Sequence, residues 1–343
     1  MNNMSEIKWG ELPFGYFKTD YNVRSYYRNG QWGELEISSS EYISVHIAAT
    51  GLHYGQESFE GLKAFCGVDG KIRVFRWEEN CKRMASSSHG IMMAEVPAEL
   101  FKKAVWTAVK MNRKYVPPYG TGASLYIRPL LFGSGAEVGV KPASEYLFLV
   151  FVTPVGPYFK EGFKPVSFLL TEEFDRAAPL GTGHIKVGGN YAAGLRAMKK
   201  AHDGGFANVL FLDAKEKKYI DEAGPANFFG IKGNTYITPD SPTILPSITN
   251  KSLCRIAEDI GMKVERRPIP VEELSEFDEA GACGTAAIIS PIKRIVDDKT
   301  GKEYLFGNGT EAGPWSTKLY KTLLGIQYGE IEDKYGWTEV VEM

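Results

Sequence analysis

The run "YLFLVFV" at residues 146–152 constrains the fold most, because seven consecutive apolar residues need cover. A bilayer-spanning helix needs about 20 such residues, so the run is far too short for that role and is cut off at Pro154. With "ASLYIRPLLF" (123–132) it reads as one of two buried strands, joined by the glycine-rich "GSGAEVGVKPAS". A buried strand pair needs helices or a second sheet on it. "AELFKKAVWTAVKMNRKYV" offers one helix, with a stripe of Leu100, Phe101, Ala104, Val105, Ala108 and Val109 ending at Pro117 and Pro118.

Further strands are expected at "YISVHIA" (42–48), "KIRVFR" (71–76), "VSFLLT" (166–171), "ANVLFLD" (207–213), "NFFGIK" (227–232) and "TYITP" (235–239). Helices are expected at "NYAAGLRAMKKAHDG", "NKSLCRIAEDIG" and "WSTKLYKTLLGIQYG". The pattern breaks over "GPYFKEGFKP" (156–165), where glycine, proline and charge alternate. With 343 residues to accommodate, this places a small N-terminal α+β domain at 1–156, a linker at 157–165 and a larger β-rich domain at 166–343.

Charge and cysteine usage exclude several functions. A net charge of -2 supplies no basic field for nucleic acid or an anionic membrane. "MNNMSEIKWGELPFG" lacks a basic start followed by an apolar stretch, so a secretory signal is not expected. Cys66, Cys81, Cys254 and Cys283 are dispersed, as free thiols of a reducing cytoplasm would be. The five histidines are equally scattered, and no metal is expected. "GTGHIK", "GSGAEVG" and "GNGTEAG" do not make a dinucleotide or P-loop fingerprint, and no G-x-S-x-G occurs.

One lysine stands apart. Lys186, in "GTGHIKVGGNYAAG", sits between Ile185 and Val187 with no acidic residue near it in sequence. Lysine becomes a nucleophile when burial or a nearby cation keeps its amine neutral part of the time. A loop lysine beside a turn is the plainer reading. A lysine carrying pyridoxal 5'-phosphate needs a carboxylate for the ring nitrogen and a helix start for the phosphate. Glu222, in "IDEAGPANFFG", is a strand-end carboxylate beside Gly224. The start of "SITNKSLCRIAEDIG" offers backbone N–H groups near Ile248 and Thr249, although Thr249 or Asn250 also reads simply as an N-cap. "GTAAIIS" (284–290) is a further turn before an apolar run.

In order along the chain, "LHYGQESFEGLKAF", "LYIRPLLFGSGAEVGV", "VTPVGPYF", "HIKVGGNYAAG", "DEAGPANFF" and "GTAA" resemble the branched-chain-amino-acid aminotransferases. The resemblance covers nearly the whole chain. It implies an α+β, two-domain fold-type IV pyridoxal-phosphate enzyme with the cofactor at the domain interface, working as a cytoplasmic homodimer. The implied reaction exchanges an amino group between leucine, isoleucine or valine and 2-oxoglutarate.

Carried onto this sequence, the resemblance makes Lys186 the Schiff-base lysine and proton shuttle, Tyr191 the phenol on the cofactor hydroxyl, and Glu222 the partner of the ring nitrogen. Arg83 becomes the phosphate arginine, where the helix pattern alone suggests a solvated charge. Ile248 and Thr249 form the phosphate cradle, with Thr285 at the same end. Tyr126, Thr285 and Ala286 resemble the α-carboxylate site, and Arg128 the receiver of glutamate's distal carboxylate. Phe14, Tyr54, Phe59, Tyr158 and Ala286 resemble apolar walls, and Val138 and Val140 a loop lent by the neighbouring subunit. Apolar walls separate Leu, Ile and Val poorly, since one methylene is worth only about 1–3 kcal/mol.

Two departures matter. The family's mammalian members carry a Cys-x-x-Cys after the G-T-A turn, where this chain has Ala287 and Ser290, so a thiol switch there is not expected. Pro225 stands where a hydroxyl residue often follows E-x-G, which removes one side-chain hydrogen bond. The rivals are a D-amino-acid aminotransferase or aminodeoxychorismate lyase of the same fold, and a non-catalytic protein that has kept the fold.

Overall fold

A computed structural model describes residues 7–157 and 163–342. The chain divides into two compact units: Met1–Lys160 with Ile185–Gly188 and Gly325–Met343, and Glu161–His184 with Gly189–Leu324. The first unit thus takes in a four-residue segment and the C-terminal stretch, both distant in sequence.

The first unit is built on strands β1 (Asn22–Arg28), β2 (Gln31–Trp32), β3 (Glu36–Ser38), β4 (Glu57–Phe59), β5 (Leu62–Cys66), β6 (Ile72–Phe75), β7 (Ser124–Gly133) and β8 (Tyr146–Val155). With the C-terminal strand Thr338–Val340 they form one antiparallel sheet, ordered C-terminal strand–β6–β5–β7–β8–β1–β2, with β3 on β1 and β4 on β7. The two buried strands expected from the apolar runs are β7 and β8, paired over their full length; β8 continues through Pro154 to Val155.

Alternation along these strands gives the sheet two different faces. Val23, Leu125, Ile127, Phe148, Val150 and Val152 join a core made with α2 (Trp77–Gly90) and α3 (Ala98–Met111), which follow the short α1 (Thr50–His53). The α3 stripe is fully covered from Phe101 to Val109, with Phe101, Val105 and Val109 each stabilising by about 1.5–3 kcal/mol. The opposite face carries Lys63, Tyr126, Arg128, Phe151 and Thr153. Residues 42–48 are not a strand. Their alternation is nonetheless used: Ile43 and Val45 pack on Phe132, Leu147 and Leu149, while Arg24 and Ser40 side chains bond the Tyr42 carbonyl.

The second unit contains α4 (Gly188–Ala193), α5 (Leu195–Asp203), α6 (Ile248–Asp259) and α7 (Pro314–Tyr328), the first and last running into segments of the other unit. Its strands are β9 (Val166–Thr171), β10 (Asn208–Leu212), β11 (Ile220–Ala223), β12 (Ala226–Lys232), β13 (Thr235–Thr238), β14 (Lys263–Arg266), β15 (Glu279–Gly284), β16 (Ile288–Asp297) and β17 (Glu303–Leu305). Pairings run β11–β10–β9–β16–β15–β12 and return to β11, a closed circuit of six strands. Phe168, Leu170, Leu210, Leu212 and Phe228 point into its core, while Leu169, Val209 and Phe211 meet Ala197 and Ala201 of α5. The helix expected over 190–204 is two helices, because the chain breaks at Gly194 before Leu195.

Candidate active site

In the first unit, the loop holding Lys186 is tied down by its backbone. Lys186 N–H donates to Ser87 Oγ at 2.9 Å, and its carbonyl accepts from Phe59 N–H at 3.2 Å. The Lys186 ammonium lies 4.8 Å from the centroid of the Phe59 ring, and the Arg128 guanidinium 4.9 Å from the same ring. Phe59 therefore brings together two of the cations that the sequence singled out. An acidic neighbour absent from the sequence around Lys186 is supplied in space: Glu57 accepts the Gly188 N–H. A Cβ at Gly188 would meet that carboxylate, so any larger residue there would have to displace the Glu57 side chain. Burial pushes Glu57 above the usual carboxylate range, against the opposing pull of the Gly188 bond and of Arg128.

The open face of the sheet carries the rest. Lys63, Tyr126 and Thr153 stand directly opposite one another across β5, β7 and β8, with Arg128 opposite Phe151. Arg128 Nη2 donates to the Tyr126 hydroxyl at 3.1 Å, while its buried Nε has no hydrogen-bond partner. Burial pushes the Lys63 amine down to about 8. Phe14 packs edge-on against Tyr126 at 5.0 Å. Tyr54 bonds the Val138 carbonyl, and Val138 and Val140 are 80% and 85% exposed, so neither lines a pocket of this chain. Tyr158 lies outside the described residues.

Arg83 is not a solvated helix charge. Its Nε and Nη2 fork onto Glu60, at 2.8 and 2.7 Å, and Asn80 donates to the same fully buried carboxylate. Glu60 was not singled out by sequence; its place one residue after Phe59, within "SFEG", was the signal available.

In the second unit, Glu222 is 3% exposed at the end of β11. Leu245 N–H and Asn227 Nδ2 donate to its Oε1 at 2.6 and 3.3 Å, and Arg176 Nη1 lies 3.5 Å from Oε2. Tyr191, Arg176, Glu222 and Pro225 line one narrow cleft, so the phenol and the carboxylate are brought together. Ile248 and Thr249 open α6, both buried. The cap is Ser247, whose Oγ accepts from Asn250 N–H, and neither Thr249 nor Asn250 fills that role. Asn250 instead spends its side chain on Asn227, Thr238 and Tyr236, which links the helix start to the partners of Glu222. Thr285 and Ala286 form the turn between β15 and β16, closed by Ile288 at φ 64, a costly backbone for a β-branched residue. Ala287 and Ser290 follow, and Cys283 nearby is buried, which raises its thiol. Among the described residues, no group of three or more His, Cys, Asp or Glu is arranged to hold a metal, and no helix is long and apolar enough to cross a membrane.

The second unit thus holds a buried carboxylate and a phenol in one cleft and a serine-capped helix start, and the first unit holds an amine on a glycine-flanked loop. The family model "Amino-transferase class IV" matches residues 57–295. The branched-chain-amino-acid aminotransferase of Haemophilus influenzae is 46% identical over 99% of this chain and all of its own. The crystal structure of the branched-chain amino acid aminotransferase of Escherichia coli superposes with a TM-score of 0.80 at 28% identity, covering 95% of this chain and 100% of that one. The T.th. branched-chain amino acid aminotransferase with pyridoxamine 5'-phosphate gives 0.78 at 26%, again over 95% and 100%. The chain belongs to the class IV aminotransferases, within the branched-chain-amino-acid group.

Proposed function

We propose that the protein exchanges the amino group between L-leucine, L-isoleucine or L-valine and 2-oxoglutarate, giving branched-chain 2-oxo acids and L-glutamate, with pyridoxal 5'-phosphate as cofactor. The observation that carries the substrate reading is Arg128: a guanidinium with an unpartnered buried Nε, lying over the apolar ring of Phe59. An aliphatic side chain finds the aromatic wall, and the second carboxylate of glutamate finds the cation. Phe14, Tyr54 and Tyr158 extend the wall in this reading, with Val138 and Val140 reaching the site of a second copy in a homodimer; the exposure of both valines supports that assignment.

The residues present fit the cofactor. Glu222, kept dry and held by Leu245 N–H, suits a protonated ring nitrogen, and Tyr191 stands in the same cleft for the ring hydroxyl. In this reading the phosphate falls to Arg83 and to the α6 start at Ile248 and Thr249, with Thr285 assigned to the same end; a helix start attracts anions through its free N–H groups. When bound, the cofactor supplies an electron sink for charge developing at the substrate α-carbon. Lys186 would hold the cofactor through its Nζ and, once the substrate amine replaces it there, would take and return the α-proton at that same Nζ. Tyr126 and the turn at Thr285 and Ala286 orient the α-carboxylate. Gly188 and the backbone bonds to Ser87 and Phe59 hold the lysine's loop in place.

An absorption spectrum of the purified protein tests the reading. A near-visible band that collapses on adding L-leucine and returns with 2-oxoglutarate is expected. A band that ignores leucine and answers a D-amino acid would move the protein to the D-specific relatives.

A further inference from the structure

Ahead of β1, residues 7–21 run past the C-terminal end of β8 as a strap whose anchoring is graded. At its end nearest β1 the strap is held firmly. Asn112, fully buried, accepts from Asp20 and Tyr21 N–H at 3.0 and 3.1 Å and donates to the Tyr21 carbonyl at 2.9 Å. Tyr115 donates to Asp20, and Thr19 to the Val152 carbonyl. Toward the N-terminus the side-chain anchors thin out, and the turn Trp9–Glu11 buries none of its residues. The strap nevertheless passes close to β8, since a Cβ at Gly156 would stand 2.3 Å from the Leu12 carbonyl.

Between these halves lies Thr153, 6% exposed and directly opposite Tyr126 in the sheet. Its hydroxyl accepts from Phe17 N–H at 2.8 Å and donates to the Gly15 carbonyl at 3.2 Å, so it grips the backbone on both sides of Tyr16. Phe14, next along, is 46% exposed and rests edge-on against Tyr126. Tyr16 reaches Glu41, an exposed contact that water can replace.

We propose that Thr153 is a positioning residue for the aminotransferase reaction: it pins the strap so that Phe14 stands against Tyr126 and closes the apolar end of the substrate site. This rests on the reading that Tyr126 meets the substrate carboxylate. A threonine serves because one hydroxyl can accept and donate at once; valine keeps the shape and β-branching and removes both bonds.

The test pairs amide hydrogen exchange over residues 12–17 with steady-state kinetics on the cofactor-loaded enzyme. Thr153→Val should speed exchange across the segment and raise KM for L-leucine about five- to thirty-fold, with kcat unchanged within about two-fold. Thr153→Ser should restore both, and Phe14→Ala should reproduce the KM change with Thr153 intact. Unaltered exchange in Thr153→Val would show that the hydroxyl is not the pin. Faster exchange with unaltered KM, or a fall in kcat alone, would overturn the positioning role. Tyr126→Phe separates the two levels. If it leaves KM for leucine untouched, the substrate reading of Tyr126 fails; if it raises KM while Thr153→Val does not, only the strap inference fails.

Discussion

The two sheets of this protein place chemistry in opposite ways. In the first unit, the groups proposed for substrate binding lie on one face of an antiparallel sheet, where every second side chain of β5, β7 and β8 projects: Lys63, Tyr126, Arg128 and Thr153 form a grid set by register alone. In the second, the sheet closes on itself and fills its interior with apolar side chains, which leaves strand ends, turns and a helix start for the polar groups. Glu222 at the end of β11, the Thr285–Ala286 turn and the α6 start are all of this kind. On the face, an exchange breaks one or two bonds, such as those of Thr153 to the strap or of Arg128 to Tyr126. In the closed circuit Glu222, Asn227 and Asn250 are bonded in series, with Arg176 beside Glu222, so one removal strands several buried partners.

Lys186 should show the largest effect and break the comparison if it fails. Lys186→Ala is expected to lower transamination by at least about a thousand-fold. The loop's bonds to Ser87 and Phe59 are made by backbone atoms on the Lys186 side, so the thermal midpoint should hardly move. Retained activity would end the assignment.

Glu222→Gln tests the closed circuit. The substitution keeps the shape and neutralises the carboxylate facing Arg176, a guanidinium that is itself 8% exposed. Leaving that buried cation with only Asp221 as a charge partner should cost about 2 kcal/mol, or roughly 5 °C in the Tm of the cofactor-free protein, with kcat falling as well. An unchanged midpoint would mean that the circuit tolerates exchange as readily as the open face does.

Lys63 offers the smallest and most selective effect. Its folded-state value of about 8 lies below the ordinary amine value of 10.5. Between those values the unfolded chain binds more protons than the folded one, so stability rises with pH across that window and the rise is lost below about 8. Comparing Tm against pH for Lys63→Met should show a flatter profile between pH 8 and 10.5, amounting to a few degrees at most. A profile parallel to wild type would show that the amine is not desolvated on that face.

The legible parts of this protein are local. The apolar runs at 123–132 and 145–156 announced β7 and β8, and the α3 stripe announced the helix that covers them. Lys186 was conspicuous because glycines surround it. Residues 42–48 were misread because alternation reports a buried face and says nothing of whether a neighbouring backbone is in reach; here side chains of Arg24 and Ser40 met the Tyr42 carbonyl instead. Ser247 was passed over as a cap because three neighbouring residues, Ser247, Thr249 and Asn250, can all cap a helix, and only the backbone geometry at the turn chooses among them.

By itself, then, the sequence determined which segments must be covered and which residue types carry chemistry, because apolar periodicity and glycine placement act over a few residues. Tertiary structure alone decided the partners: Glu57 for the Gly188 N–H, Glu60 for Arg83, Arg176 for Glu222, Thr153 for the strap. Those pairs are separated by between 23 and 138 positions of chain. A hydrogen bond or ion pair depends on a few ångströms in space, and no pattern along the chain records which distant carboxylate or hydroxyl the folded backbone will bring within that reach.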